Sequence, residues 1–357
     1  MGSVTYRSRV RGCVLGGAIG DALGAPIEFD SIGSIRARHG QAGITGMLTD
    51  GIGRAGLITD DTQMTLFTLE GLIRAELRAA TRGFAATPDV MRAAYLRWLD
   101  TQSHREPPPP GGLPHRTGRL REQGWLYARR APGTTCLSGL RGDPGGAYAA
   151  FGEPGPLNGH SKGCGTVMRS APFGLLRGTA REAFELAATC AQITHGHPTG
   201  YYAAGAFAVL IHHIADGLSL YESVHETLRL LETYPGHEET SDALRAADRL
   251  AGKGDPSPER VETLGGGWVA EEALAIAVYC SLVHEQDFPA ALLLAVNHSG
   301  DSDSTGAMTG NILGALHGEE SLPVAWLPLI EGRETISELA DDFVTRDRAD
   351  PAKYPPG

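Results

Sequence analysis

Apolar residues recur along this chain at helical spacing. Val10, Val14, Leu15, Ala18, Ile19, Ala22 and Leu23 form one stripe, at intervals of three and four. Met64, Phe67, Leu69, Leu72 and Ile73 broadly continue the theme after Asp60. Residues 199–216, 240–251, 270–284 and 301–317 read as helices by the same rule. Strand-like alternation with Asn-Gly turns is almost absent, so the pattern predicts an all-α class. Gly and Ala are frequent inside these segments, and small faces let helix backbones approach closely.

Two stretches break the rhythm. Residues 103–119 hold four consecutive prolines, Pro107 to Pro110, then Gly111, Gly112 and Pro114. Such a run cannot be helix, and a polyproline-like surface loop is expected. Residues 130–165 are also rich in Gly and Pro, and long irregular loops are expected there. No internal repeat and no clear linker appears. The expectation is one domain over 1–357, with a core of about 9–318 and the Pro-rich stretch as an insert.

Composition narrows the function. Lys and Arg number 31 against 42 Asp and Glu, a formal charge of −11. That balance disfavours nucleic acid as a partner and suits a protein that collects cations. No apolar run reaches the ~18 residues of a membrane span, so no membrane partner is expected. Arg7, Arg9 and Arg11 precede an apolar run in the manner of an export signal, but Asp21 interrupts it and Glu28 follows. The segment reads as a helix of the mature protein. Five cysteines without CxxC spacing argue against a disulfide scaffold or a zinc ribbon, and the cytoplasm is the default compartment.

Two acidic clusters carry the candidate chemistry. Thr59-Asp60-Asp61-Thr62 and Gly300-Asp301-Ser302-Asp303-Ser304-Thr305-Gly306 each open a helical pattern. Either alone is explained by capping, because Ser, Thr and Asp are preferred there and acids favour the helix dipole. Together they offer four carboxylates and hydroxyls, an all-oxygen set suited to Mg²⁺ or Mn²⁺. Two divalent ions would balance four aspartates.

Three further motifs join them. In Gly20-Asp21-Ala22-Leu23-Gly24-Ala25-Pro26-Ile27-Glu28-Phe29, Gly24 and Pro26 should end the first helix. Glu28 then falls on a loop among apolar neighbours, where a raised pKa would suit an acid/base, and Asp21 is expected to cap or brace a neighbouring loop. Asn158-Gly159-His160-Ser161-Lys162-Gly163-Cys164-Gly165 precedes a helical run, which makes a plausible anion cradle of backbone N–H groups. It is neither a Walker A nor a dinucleotide motif, and no Cys-His spacing marks Cys164 as a nucleophile. Thr194-His195-Gly196-His197-Pro198 is a weak zinc signal; histidines at a helix start more often bond a ligand or a loop.

In this order, GDALGAPIEF, TDDT, SKGCGTVMR, THGHP and GDSDSTGAMTGNILGALHG resemble the ADP-ribosylglycohydrolase family over about Arg9 to Gly318. The resemblance implies a compact, orthogonal multi-helix globule with two Mg²⁺ or Mn²⁺ ions in a dinuclear cleft. It implies Thr59, Asp60, Asp61, Asp301, Asp303 and Ser304 as metal ligands. It implies Glu28, with Asp61 or Asp303, as the proton-transferring groups. Ser161, Lys162, Gly163, Cys164 and Gly165 match the loop that holds the diphosphate and distal ribose. His195 matches a histidine near that ribose, and Gly265-Gly266-Gly267-Trp268 a turn with an aromatic near the adenine. Some serine-type relatives carry an aromatic and an Asn where this chain has Lys162 and Cys164, which turns the expectation toward arginine.

The implied activity is hydrolysis of the N- or O-glycosidic bond joining ADP-ribose to a target, most directly ADP-ribosyl-arginine on protein, by a monomeric enzyme releasing ADP-ribose. The alternatives are a hydrolase of a small ADP-ribose conjugate, such as O-acetyl-ADP-ribose, and a non-catalytic ADP-ribose binder.

Overall fold

The computed structural model describes residues 4–146 and 148–356. Among the described residues the chain is helical, without a strand. The first helices are α1 (Tyr6–Gly24), α2 (Ile32–His39), α3 (Asp60–Arg82), α4 (Thr87–Ser103) and α5 (Thr134–Arg141). They are followed by α6 (Ala171–Gly174), α7 (Ala180–Ala191), α8 (Pro198–Ala215), α9 (Leu220–Leu231) and α10 (Glu238–Ala251). The last are α11 (Pro258–Val261), α12 (Ala270–Val283), α13 (Phe288–Val296), α14 (Ser302–His317) and α15 (Arg333–Val344). All six segments read from periodicity are helices. The expectation of irregular loops over 130–165 holds for the described residues of 142–163 and is corrected at α5. Its eight residues are too few to show a periodic stripe, and its N-cap, Gly133, makes no side-chain cap to mark the start.

The organising contact is α1 against α14. Gly12, Gly16, Gly20 and Gly24 fall four apart on α1 and so share one face. Gly306, Gly310 and Gly314 do the same on α14. A Cβ on Gly20 would strike the Gly306 carbonyl, one on Gly16 that of Gly310, and one on Gly12 that of Gly314. The pairs run in opposite directions, so the helices are antiparallel and nearly backbone to backbone. Asn311 fixes the register, donating from Nδ2 to the Cys13 carbonyl at 2.8 Å. This contact carries the end of α1, and Glu28 just beyond it, to the acidic start of α14.

The Pro-rich stretch is irregular and largely exposed, as expected. A proline has no N–H, so Pro107 to Pro110 give the loop no backbone donors, and its turns lie beyond them, with the Leu113 N–H donating to the Pro110 carbonyl at 3.0 Å. Arginines supply the donors: Arg74 to the Thr117 carbonyl at 2.6 Å, Arg116 to that of Pro109 at 3.3 Å, and Arg121 to that of Pro108. Behind them Glu70 accepts from Arg74 at 2.9 Å and from Arg97 at 2.8 Å, all three side chains buried between α3 and α4. All five cysteines are free, and no described helix is long and apolar enough to cross a membrane.

Candidate active site

Both acidic clusters open helices, and each is locally braced. Thr59 is the N-cap of α3, its hydroxyl accepting the Asp61 N–H at 3.3 Å, with Asp60 and Asp61 in the first turn. Asp21 of α1 is completely buried beside it. Both its oxygens accept the Thr59 N–H at 3.0 Å, and one accepts the Thr62 N–H at 3.1 Å and the Thr62 hydroxyl. Asp21 is therefore saturated as a brace, the role its sequence position suggested.

At α14, Asp301 is the N-cap and Asp303 lies in the first turn, its Oδ1 accepting the Ser304 N–H at 2.9 Å. The Asp301 N–H donates to the Gly266 carbonyl at 2.8 Å. A side chain at Gly300 would collide with that same carbonyl, so glycine is required where the Gly265–Gly267 turn presses on the cluster. The turn continues into the loop before α6. The Trp268 carbonyl accepts the Cys164 N–H at 3.1 Å, the Ala270 N–H donates to the Lys162 carbonyl at 2.8 Å, and Gly163 and Val269 form one antiparallel bridge.

These elements enclose a cleft of about 410 Å³. Its floor is Glu28, Asp60, Asp61, Asp301, Asp303 and Ser304; its facing wall is Gly163, Cys164, Gly165 and His195, with Trp268 at the mouth. Phe29 stacks on Trp268 with ring centroids 5.8 Å apart. A second, largely apolar cavity of about 330 Å³ shares Glu28 and Phe29 with the cleft.

The expected site residues are thus mostly brought together. Thr59 lies behind the floor, and Ser161 one step back, its Oγ 3.1 Å from that of Thr135. Lys162 is the departure. Its ammonium sits on Glu239 and Glu271, and it is not among the cleft-lining side chains, so only its backbone belongs to the loop. Sequence reading missed Phe29 and Thr135. Phe29 is 75% exposed, and an aromatic beside an expected loop acid was the available signal. Nothing local marked Thr135.

The electrostatics are one-sided. Oxygens of Glu28, Asp301 and Asp303 all lie within 4.8 Å of one another. Asp61 Oδ1 is buried without a hydrogen-bond partner among the described residues. No described lysine or arginine lines the cleft. Burial, reinforced by Asp303 and Asp301, pushes Glu28 up to about 10. Burial and then Asp303 push Asp21 up to about 7 and Asp60 and Asp61 well above the usual carboxylate range. The Cys164 thiol, 2.7 Å from Asp301 Oδ2, is pushed up by burial and that carboxylate, so it is no thiolate nucleophile. Burial, then the Arg169 charge, hold His195 well below its usual range and keep it neutral. Buried charge is retained where it is paired or holds a metal. An orphaned carboxylate oxygen in an all-oxygen, cation-free floor fits a divalent cation.

Comparison with known proteins agrees. The family model for ADP-ribosylglycohydrolase matches residues 2–352. The ADP-ribosyl-[dinitrogen reductase] glycohydrolase of Rhodospirillum rubrum is 26% identical over 92% of this chain and 92% of its own length. ADP-ribosylhydrolase ARH3 of Mus musculus is 26% identical over 94% of this chain and 91% of its own. A solved structure titled ADP-ribosylglycohydrolase-related protein complex superposes with a TM-score of 0.62 at 25% identity, covering 96% of this chain and 99% of that one. With the acid-floored cleft in place and the match running nearly end to end, the chain belongs to the ADP-ribosylglycohydrolase family, enzymes that hydrolyse glycosidic bonds to ADP-ribose.

Proposed function

We propose that this enzyme removes ADP-ribose from a modified protein by metal-dependent hydrolysis, with ADP-ribosyl-arginine as the favoured linkage. The observation that carries the reading is the convergence of Glu28, Asp301 and Asp303 with the orphaned Asp61 oxygen, opposite a glycine-bearing loop. Two divalent cations, Mg²⁺ or Mn²⁺, would be held by Thr59, Asp60 and Asp61 on one side and Asp301, Asp303 and Ser304 on the other. Bound there, they would supply positive charge that orients ribose hydroxyls and water.

The chain's own residues do the rest. The Gly163 and Gly165 backbone admits the diphosphate and distal ribose closely, with Ser161, the Lys162 backbone and Cys164 shaping that loop. His195 sits against it, and Trp268 offers a ring face to the adenine. Glu28, whose pKa burial raises toward that of a proton donor, stands between the cleft and the apolar cavity. Cleavage sends the C1–N electron pair to the leaving nitrogen, which takes the Glu28 proton. Water adds to C1 and gives its proton to Asp61 or Asp303, the paired-carboxylate logic of glycoside hydrolysis. The phosphate loop carries Lys162 and Cys164 where some serine-type relatives carry an aromatic and an Asn, which favours the arginine linkage.

The test is ADP-ribose release from arginine-ADP-ribosylated protein with Mg²⁺, with Mn²⁺ and with EDTA, alongside a serine-linked substrate. Metal-dependent release from arginine alone is expected. Release from serine alone overturns the linkage. No release from either, with ADP-ribose still bound, moves the reading to a small conjugate or a non-catalytic binder.

A further inference from the structure

We infer that Arg169 and Thr194 form a positioning relay that fixes His195 as its Nε2–H tautomer, making it a hydrogen-bond donor into the cleft. Arg169 is buried, and no described carboxylate lies within ion-pair distance of it. Its guanidinium lies over the Tyr95 ring at 4.5 Å, and Nη2 donates to Thr194 Oγ1 at 2.7 Å. An arginine can only donate, so one lone pair of the threonine oxygen is taken.

Thr194 Oγ1 also lies 2.8 Å from His195 Nδ1. The hydroxyl has one proton and two possible acceptors. The other is the Ala191 carbonyl at 3.4 Å, which already accepts the Thr194 and His195 N–H groups at 3.1 Å each. The shorter contact to an otherwise unserved atom takes the proton. Nδ1 is then the acceptor, and the imidazole proton resides on Nε2. Nε2 faces the glycine loop: a Cβ on Gly163 would lie 3.3 Å from it and one on Gly165 3.5 Å. The relay points outward as Arg169 to Thr194 to His195 to ligand. What His195 selects is an acceptor oxygen, a phosphate or ribose oxygen lone pair, and it does not act as a base. The tautomer claim is independent of the proposed activity; only the identity of the acceptor rests on that reading.

The test is ¹⁵N NMR of histidine-labelled protein without ligand, with His195→Gln assigning the His195 signals. Wild type should show Nδ1 as an unprotonated nitrogen and Nε2 as a protonated one. Thr194→Val keeps shape but removes the hydroxyl. It should scramble the tautomer and weaken ADP-ribose binding about tenfold, as loss of one buried hydrogen bond does. Thr194→Ser should restore both readouts, which a purely structural role would not require. A protonated Nδ1 in wild type overturns the relay, as does a folded Thr194→Val with the wild-type tautomer. If Thr194→Val does not fold, the wild-type and Thr194→Ser spectra still decide the tautomer.

Discussion

Between α3 and α4, Glu70 is fully buried with Arg74 and Arg97 on its two oxygens. Earlier on the same helix, Asp60 and Asp61 are also buried, but they face Asp303, Asp301 and Glu28 across a cleft that no described lysine or arginine lines. Taking an ion out of water costs several kcal/mol even in a relaxed protein. The first cluster carries its own counter-charges and uses the spare donors to grip the Pro-rich loop. The second has no lysine or arginine of its own among the cleft-lining residues. One cluster helps hold the fold together. The other is held in place by the fold, through Asp21 at α3 and the glycine contact at α14.

The largest effect expected from breaking this contrast is catalytic. Asp303→Asn should lower kcat/KM about a thousandfold, ~4 kcal/mol, as removal of a main charge-stabilising group does. The same change removes a repelling charge, so the metal-free protein should unfold at equal or higher denaturant. A metal-free Asp303→Asn less stable than wild type would contradict the cluster's self-repulsion.

Glu70→Gln should do the reverse. It strands two buried guanidinium groups and should cost about 3 kcal/mol in urea unfolding. Metal affinity of the folded fraction should not change. A Glu70→Gln protein of wild-type stability would show that the cluster is not structural.

A third effect is in pH. Asp21 and Glu28 have folded pKa values of about 7 and about 10, above the 3.8 and 4.5 of ordinary carboxyls. Between those limits the native state binds more protons than the unfolded chain. Metal-free stability should therefore fall as pH rises from about 4 through 7, by roughly 1.4 kcal/mol per unit for each titrating group. Cations relieve the repulsion, so the rise in Tm with Mg²⁺ should be larger at pH 8 than at pH 5. An equal or smaller rise at pH 8 would be the wrong sign.

What the sequence made legible divides along the same line. Asp60, Asp61, Asp301 and Asp303 sit at helix starts, where caps and acidic first turns are local signals. The glycines of α1 and α14 recur every four residues, so even the close approach was readable. Asp21 as a brace followed from its place near the end of α1. The Glu70 cluster was not legible, because its meaning lies in Arg97 on another helix. The place of the Lys162 side chain was hidden for a similar reason: Glu239 and Glu271, distant in the chain, hold its ammonium. The Arg169–Thr194–His195 relay joins two motifs that were each seen but whose contact depends on packing.

The most direct measurement is the number of Mn²⁺ ions bound per chain at pH 8, read by calorimetric titration of metal-stripped protein and of the Asp303→Asn and Glu70→Gln variants. The account predicts two ions in wild type and in Glu70→Gln, and fewer in Asp303→Asn. No bound Mn²⁺ in wild type, or the same number in Asp303→Asn, would contradict it.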